Sequence, residues 1–104
     1  MTRPLFVAAL ASGAVITSHA LAQGAYPNRG RDLAAACANC HGTNGMSQQG
    51  MANLAGQQQT YLAQQMRDFK VGKRPATLMH QIAKGYSDEQ IDALAAYFST
   101  QKAK

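Results

Sequence analysis

Residues 35–42 read "AACANCHG", and the chain's only two cysteines, Cys37 and Cys40, stand three positions apart with His41 directly behind them. Three readings of this cluster leave its other features unexplained. As a structural disulfide, a C-x-x-C loop is strained and makes a poor staple. A thioredoxin-like redox site needs a βαβ setting, and this chain has few β-branched residues and no alternating apolar/polar run. A zinc site needs more soft ligands than two cysteines and one histidine supply, and only His80 lies further along the chain.

The spacing instead matches C-x-x-C-H, the attachment pattern for c-type haem. Two thiols three residues apart add across the two vinyl groups of one porphyrin, giving two thioethers. The next residue then stands under the iron, and a ring nitrogen of His41 becomes the proximal ligand. The expected cofactor is one covalent haem c.

The sequence before the motif explains why covalent attachment would be useful. "MTRPLFVAALASGAVITSHALAQ" (1–23) has Arg3 near its start, an apolar run from Leu5 to about Ile16, and the small-x-small site Ala20-Leu21-Ala22. This is the layout of a secretory signal peptide, so residues 1–22 are expected to be removed and the mature chain to begin at Gln23 in the periplasm. The run is too short for a membrane anchor, which needs about 20 apolar residues. An exported protein could lose a haem held only by contacts.

The 104-residue sequence has ten Lys/Arg and five Asp/Glu; without Arg3 the mature chain keeps nine against five. Its basic residues form no dense run and have no interleaved aromatics, which argues against nucleic acid. A mild positive charge fits docking onto acidic protein surfaces, where it raises association rates.

Residues 23–104 read as one all-α domain. The first helix starts from Asn28 as N-cap and runs through "RGRDLAAACAN". The second covers about 58–71, with Leu62, Met66 and Phe69 on one side, and stops at Gly72. The third is capped by Ser87, with Gln90 completing a capping box. Ile91, Leu94, Ala95 and Phe98 fall at i, i+3, i+4 and i+7, one buried face. Between them lie a Gly/Ser/Asn/Gln-rich loop (42–56) and a segment (72–87) with Pro75 and a short helix through "LMHQIAK". Large apolar residues are few and tryptophan is absent. A domain this small needs a staple or a bound group at its centre.

Candidates for the sixth iron ligand are Met46, Met51, Met66, Met79 and His80. Met46 and Met51 follow His41 so closely that the chain would have to round the ring edge at once. Met66 shares a helix face with Leu62 and Phe69, where methionine usually packs a core. Met79 comes late, after Pro75, where a ligand from the opposite face should enter, and it is favoured; His80 beside it stays open. A His/Met pair raises the reduction potential relative to two histidines and closes both axial positions.

"CANCHG", "NLAGQQQTYLAQQMRDFKVGKR" (53–74) and "LMHQIAKGYSDEQIDALAAYFSTQ" (78–101) together resemble class I cytochromes c over nearly the whole mature chain. The resemblance implies three main helices plus a short one wrapped around one haem. Cys37 and Cys40 would be the thioether sites, with His41 and Met79 the metal ligands. Tyr97 and Phe98 would sit where the last helix crosses the first. Relatives often carry a proline shortly before "NLAGQ"; this chain has Gly50-Met51-Ala52.

"MHQIAKGYSDEQI" is further similar to the cytochrome subunits of flavocytochrome c sulfide dehydrogenases, many of which have two haem domains where this chain has one motif. That likeness implies an FAD-containing flavoprotein partner that oxidises sulfide and passes single electrons to the haem, so that the chain is an electron carrier by itself. Lys84 and Tyr86 would then be candidate contacts with the partner. The alternatives are a freely diffusing carrier between respiratory complexes and a haem enzyme or sensor with an exchangeable sixth position. Lys70, Lys73 and Arg74 could border a docking patch, but cations at a helix C-terminus need no partner to be favourable.

Overall fold

The structure is a computed structural model that describes residues 28–48 and 50–103. The expected signal peptide and the start of the mature chain lie outside the described residues, which are helical and contain no strand.

The first helical segment is one ribbon in three pieces: α1 (Arg29–Ala34), a 3-10 turn (Ala35–Cys37) and α2 (Ala38–His41). The sequence pattern predicts a single helix here. The ribbon tightens where three consecutive alanines, Ala34 to Ala36, leave room for the eclipsed side chains of 3-10 geometry. It stops at Gly42, whose φ of +82° is cheap only for glycine.

Helix α3 spans Gln59–Lys70, close to the expected 58–71. Gly72 (φ +78°) ends it in a Schellman arrangement, with the Gly72 N–H on Phe69 O and the Lys73 N–H on Asp68 O. Helix α4 is short, Met79–Lys84. Helix α5 spans Asp88–Ser99, and the expected capping box is present: the Ser87 hydroxyl accepts from the Gln90 N–H while the Gln90 side chain accepts from the Ser87 N–H. Asp88 and Glu89 in the first turn favour the positive end of the helix dipole. Ser87→Ala should lower stability by about 1 kcal/mol and shift the denaturant midpoint while leaving haem content unchanged.

Helix α5 is the hub, packing on α1 and α3, while α4 packs on α3. The α1–α5 crossing is close because Gly30 has no side chain: a Cβ there would lie 2.5 Å from Ala93 O and 3.1 Å from Tyr97 Cβ. Tyr97 thus stands at the crossing, as the resemblance implies, with its ring edge-on to Phe98. On the other side, Arg67 of α3 pairs with Asp92 (2.6 Å) and Asp88 (3.9 Å), and Lys70 with Asp88 (3.6 Å). The Asp88 and Asp92 ends of these pairs are solvent-exposed, so each contributes only about 0–1 kcal/mol.

Among the described residues, five of the ten buried apolar ones are alanine: Ala34, Ala55, Ala63, Ala83 and Ala95. Leu62, Met66, Ile91, Leu94 and Phe98 complete the core, and among these large side chains Ile91 is fully buried. Alanine brings helices together but contributes little apolar area. A core of this kind is marginal by itself and gains from a bound group to pack against.

Candidate haem-binding site

Cys37 closes the 3-10 turn, and Cys40 and His41 form the end of α2, so all three expected attachment residues ride on one helical ribbon. Cys37 is half-buried against the core, Cys40 is exposed, and both thiols are free. Burial pushes the Cys37 thiol above its usual range; a backbone hydrogen bond opposes this, and the neighbouring Cys40 adds to it.

His41 is the buried polar residue of the core, 8 % exposed. Its Nδ1 lies 2.7 Å from the carbonyl oxygen of Ala52. A carbonyl only accepts, so Nδ1 carries the proton and donates, leaving Nε2 with a free lone pair. A carbonyl partner of this kind fixes both the tautomer and the ring orientation of a metal-binding histidine.

The loop 42–56 is folded to deliver that carbonyl. Gly42 permits a turn so tight that a Cβ would lie 2.1 Å from Met46 O. Asn44 adopts a left-handed conformation (φ +55°), which asparagine tolerates better than most residues, and its Oδ1 accepts from the Tyr97 hydroxyl at 2.6 Å. The Gly45 carbonyl then takes two N–H groups from across the loop, those of Leu54 and Ala55. Asn53 bridges the strands of the loop, accepting from the Ser47 N–H and donating to Ala55 O. Finally, the Gly56 N–H donates to Phe98 O, tying the loop to the end of α5. The stretch Gly50-Met51-Ala52 thus presents a backbone oxygen to His41. Sequence reasoning missed Ala52, Asn44 and Asn53. The Ala52 contribution is a main-chain atom and leaves no side-chain signal.

The candidate distal residues differ in burial and setting. Met66 is buried in α3 as core, in line with its sequence pattern. Met51 is exposed and Met46 half-buried. Met79 is the first residue of α4, half-buried and packed against the core. His80 follows it, also half-buried, and its Nδ1 is shielded from solvent without a hydrogen-bond partner.

Tyr86 is half-buried, and its hydroxyl is engaged within the chain. Its hydroxyl donates to Leu33 O at 3.1 Å, pinning the α4–α5 junction to α1. Burial first, and the nearby Cys37 second, raise its pKa. Lys84 remains exposed. The basic cluster after α3 is also partly engaged: Lys70 pairs with Asp88, and Arg74 stacks 4.7 Å over the Phe69 ring while hydrogen-bonding Gln65. These contacts favour the plainer account of that cluster.

Two thiols without partners, an imidazole with one nitrogen committed and the other free, an orphaned buried nitrogen on His80 and an alanine-rich core fit a covalently held haem. A cleft of about 310 Å³ between α1 and α5, bordered by Arg31, Ala38, Asn44 and Tyr97, touches neither thiol nor His41 and is not its seat. Among the described residues no three His, Cys, Asp or Glu side chains come together to hold a metal ion, and no helix is long and apolar enough to cross a membrane.

The family model described as "Cytochrome c" matches residues 27–102. The cytochrome subunit of sulfide dehydrogenase from Chlorobaculum tepidum is 39 % identical over 77 residues, covering 74 % of this chain and 70 % of that protein. Cytochrome c-554(548) of Halomonas halodenitrificans is 42 % identical over 80 residues, 70 % of this chain and 93 % of its own length. A thiosulfate dehydrogenase electron acceptor of Stutzerimonas stutzeri is 43 % identical over 74 residues, 68 % of this chain and 34 % of that protein.

Proposed function

Because the chain belongs to the cytochrome c family, we propose that it is a periplasmic single-electron carrier with one haem in residues 23–104, accepting electrons from the FAD-containing flavoprotein subunit of a sulfide dehydrogenase. The observation that carries the electron-transfer reading is the buried His41 with Nδ1 committed to Ala52 and Nε2 free, immediately behind the two thiols. Cys37 and Cys40 would hold the haem by thioethers, with His41 as the proximal ligand and Met79 as the distal one. When bound, the haem would supply the one-electron change at its iron. The protein keeps the His41 imidazole in one tautomer, and the Met79 thioether would raise the potential and leave no position open to a substrate.

The partner rests on the likeness to the Chlorobaculum tepidum subunit. The near full-length match to Halomonas halodenitrificans cytochrome c-554(548) favours a second reading, a freely diffusing carrier. Native purification under mild salt separates the two. Co-elution with a flavoprotein, and haem reduction by sulfide only in its presence, is the expected result. A haem protein that emerges alone, with no fraction coupling it to sulfide, sinks the subunit reading and leaves the free carrier.

A further inference from the structure

His80 carries chemistry that the proposed ligand set does not use. Its Nδ1 is sealed from solvent and makes no hydrogen bond among the described residues. Leaving a buried polar group unsatisfied is costly, so an imidazole placed this way calls for a role. It directly follows Met79 at the start of α4, a helix of six residues. That end of α4 is loosely held: its N-cap, Leu78, has non-helical geometry (φ −136°, ψ −36°), makes no side-chain cap and is 54 % exposed. The segment before it, 73–78, contains Pro75 and no regular structure. Segments with few buried contacts and exposed backbone shift at low free-energy cost.

We propose that His80 is a reserve donor for the position of Met79: when the thioether is lost, the first turn of α4 rotates and the His80 imidazole takes its place. Consecutive helical residues differ by about 100° around the axis, so rewinding the first turn of α4 by about that angle exchanges the two side chains. The bond given up is iron to thioether sulfur and the bond formed is iron to imidazole nitrogen, with no change in electron count. An imidazole is the harder donor, so the exchanged form keeps the iron six-coordinate at a lower potential and closed to small ligands. This inference rests on the assignment of Met79 under Proposed function.

The test uses the matured holoprotein as wild type, Met79→Leu, which keeps the volume and removes the donor, and Met79→Leu/His80→Gln. Ferric electron paramagnetic resonance and carbon monoxide binding to the reduced form report the sixth ligand directly. The expected series is a thioether-ligated low-spin wild type, a low-spin Met79→Leu with the signature of two imidazoles and little carbon monoxide binding, and a high-spin, carbon monoxide-binding double variant. A high-spin Met79→Leu overturns the exchange. So does a double variant that stays low-spin, because another residue then supplies the donor. A wild type without the thioether signature, and unaltered by Met79→Leu, overturns the Met79 assignment itself and the exchange with it.

Discussion

Replacing Cys37 and Cys40 together by alanine is expected to leave no haem on the chain after denaturing electrophoresis and no cooperative unfolding transition at room temperature. The reason lies in the core. A domain of this size has a net stability of roughly 4–10 kcal/mol, and half of its buried apolar residues are alanines that bury little area. Anything that binds the folded chain and not the unfolded one adds to its stability by mass action, and a covalently attached group cannot be lost by dilution. Without the thioethers the proposed haem would be held by His41 and a methionine alone, and its loss would leave the small core nothing further to pack against. The two positions differ. Cys37 is packed against the core beside Tyr86, whereas Cys40 is exposed. Cys37→Ala should therefore be the more damaging single change, since it removes packing as well as a bond. Haem-stained gels and circular dichroism melts check both statements. A double variant that retains haem through denaturation, or melts like the wild type, would refute the attachment reading.

The elements that repeat a pattern were the ones readable from sequence. Ile91, Leu94, Ala95 and Phe98 announce α5, and Ser87 with Gln90 announces its start, because both signals are carried by side chains close together in the chain. Helix α3 is equally plain, down to the Gly72 stop. The motif itself points to Cys37, Cys40 and His41 from spacing alone, and the fold carries all three on one helical ribbon. The positioning of His41 was not readable, because it is done by main-chain atoms: the Ala52 carbonyl, the doubly used Gly45 carbonyl, and the Gly56 N–H on Phe98. The same limit explains Tyr86. No sequence pattern marks the bond from the Tyr86 hydroxyl to Leu33 O, because it joins residues 53 positions apart in the chain. Lys70 and Arg74 likewise look like a free basic patch until Asp88, Gln65 and Phe69 are brought to them by the packing of α3 and the turn that follows it.

The second large effect is expected far from any ligand, at Gly30→Val. A Cβ at this position would lie 2.5 Å from the Ala93 carbonyl oxygen, closer than real Cβ contacts allow, and the obstacle is helix backbone that cannot swing aside. Tyr97 Cβ, at 3.1 Å, blocks the other direction. Even alanine must push α1 away from α5, and the two further methyls of valine enlarge the displacement. Overpacking of this kind costs about 1–3 kcal/mol, a large fraction of what this core can supply. The strain also has a direction. Helix α1 runs without interruption into the ribbon that carries Cys37, Cys40 and His41, and Tyr97 also donates to Asn44 in the turn behind His41. Moving α1 off α5 therefore disturbs the proximal side from both ends, lengthening the contact between His41 Nδ1 and Ala52 O. Gly30→Val should lower the thermal midpoint and shift the reduction potential, whereas Ser87→Ala should lower stability alone. Melting curves and potentiometric titration of the two holoproteins side by side decide the matter. A Gly30→Val protein with wild-type stability would show that the α1–α5 crossing is not the close contact that joins this small core to its haem site.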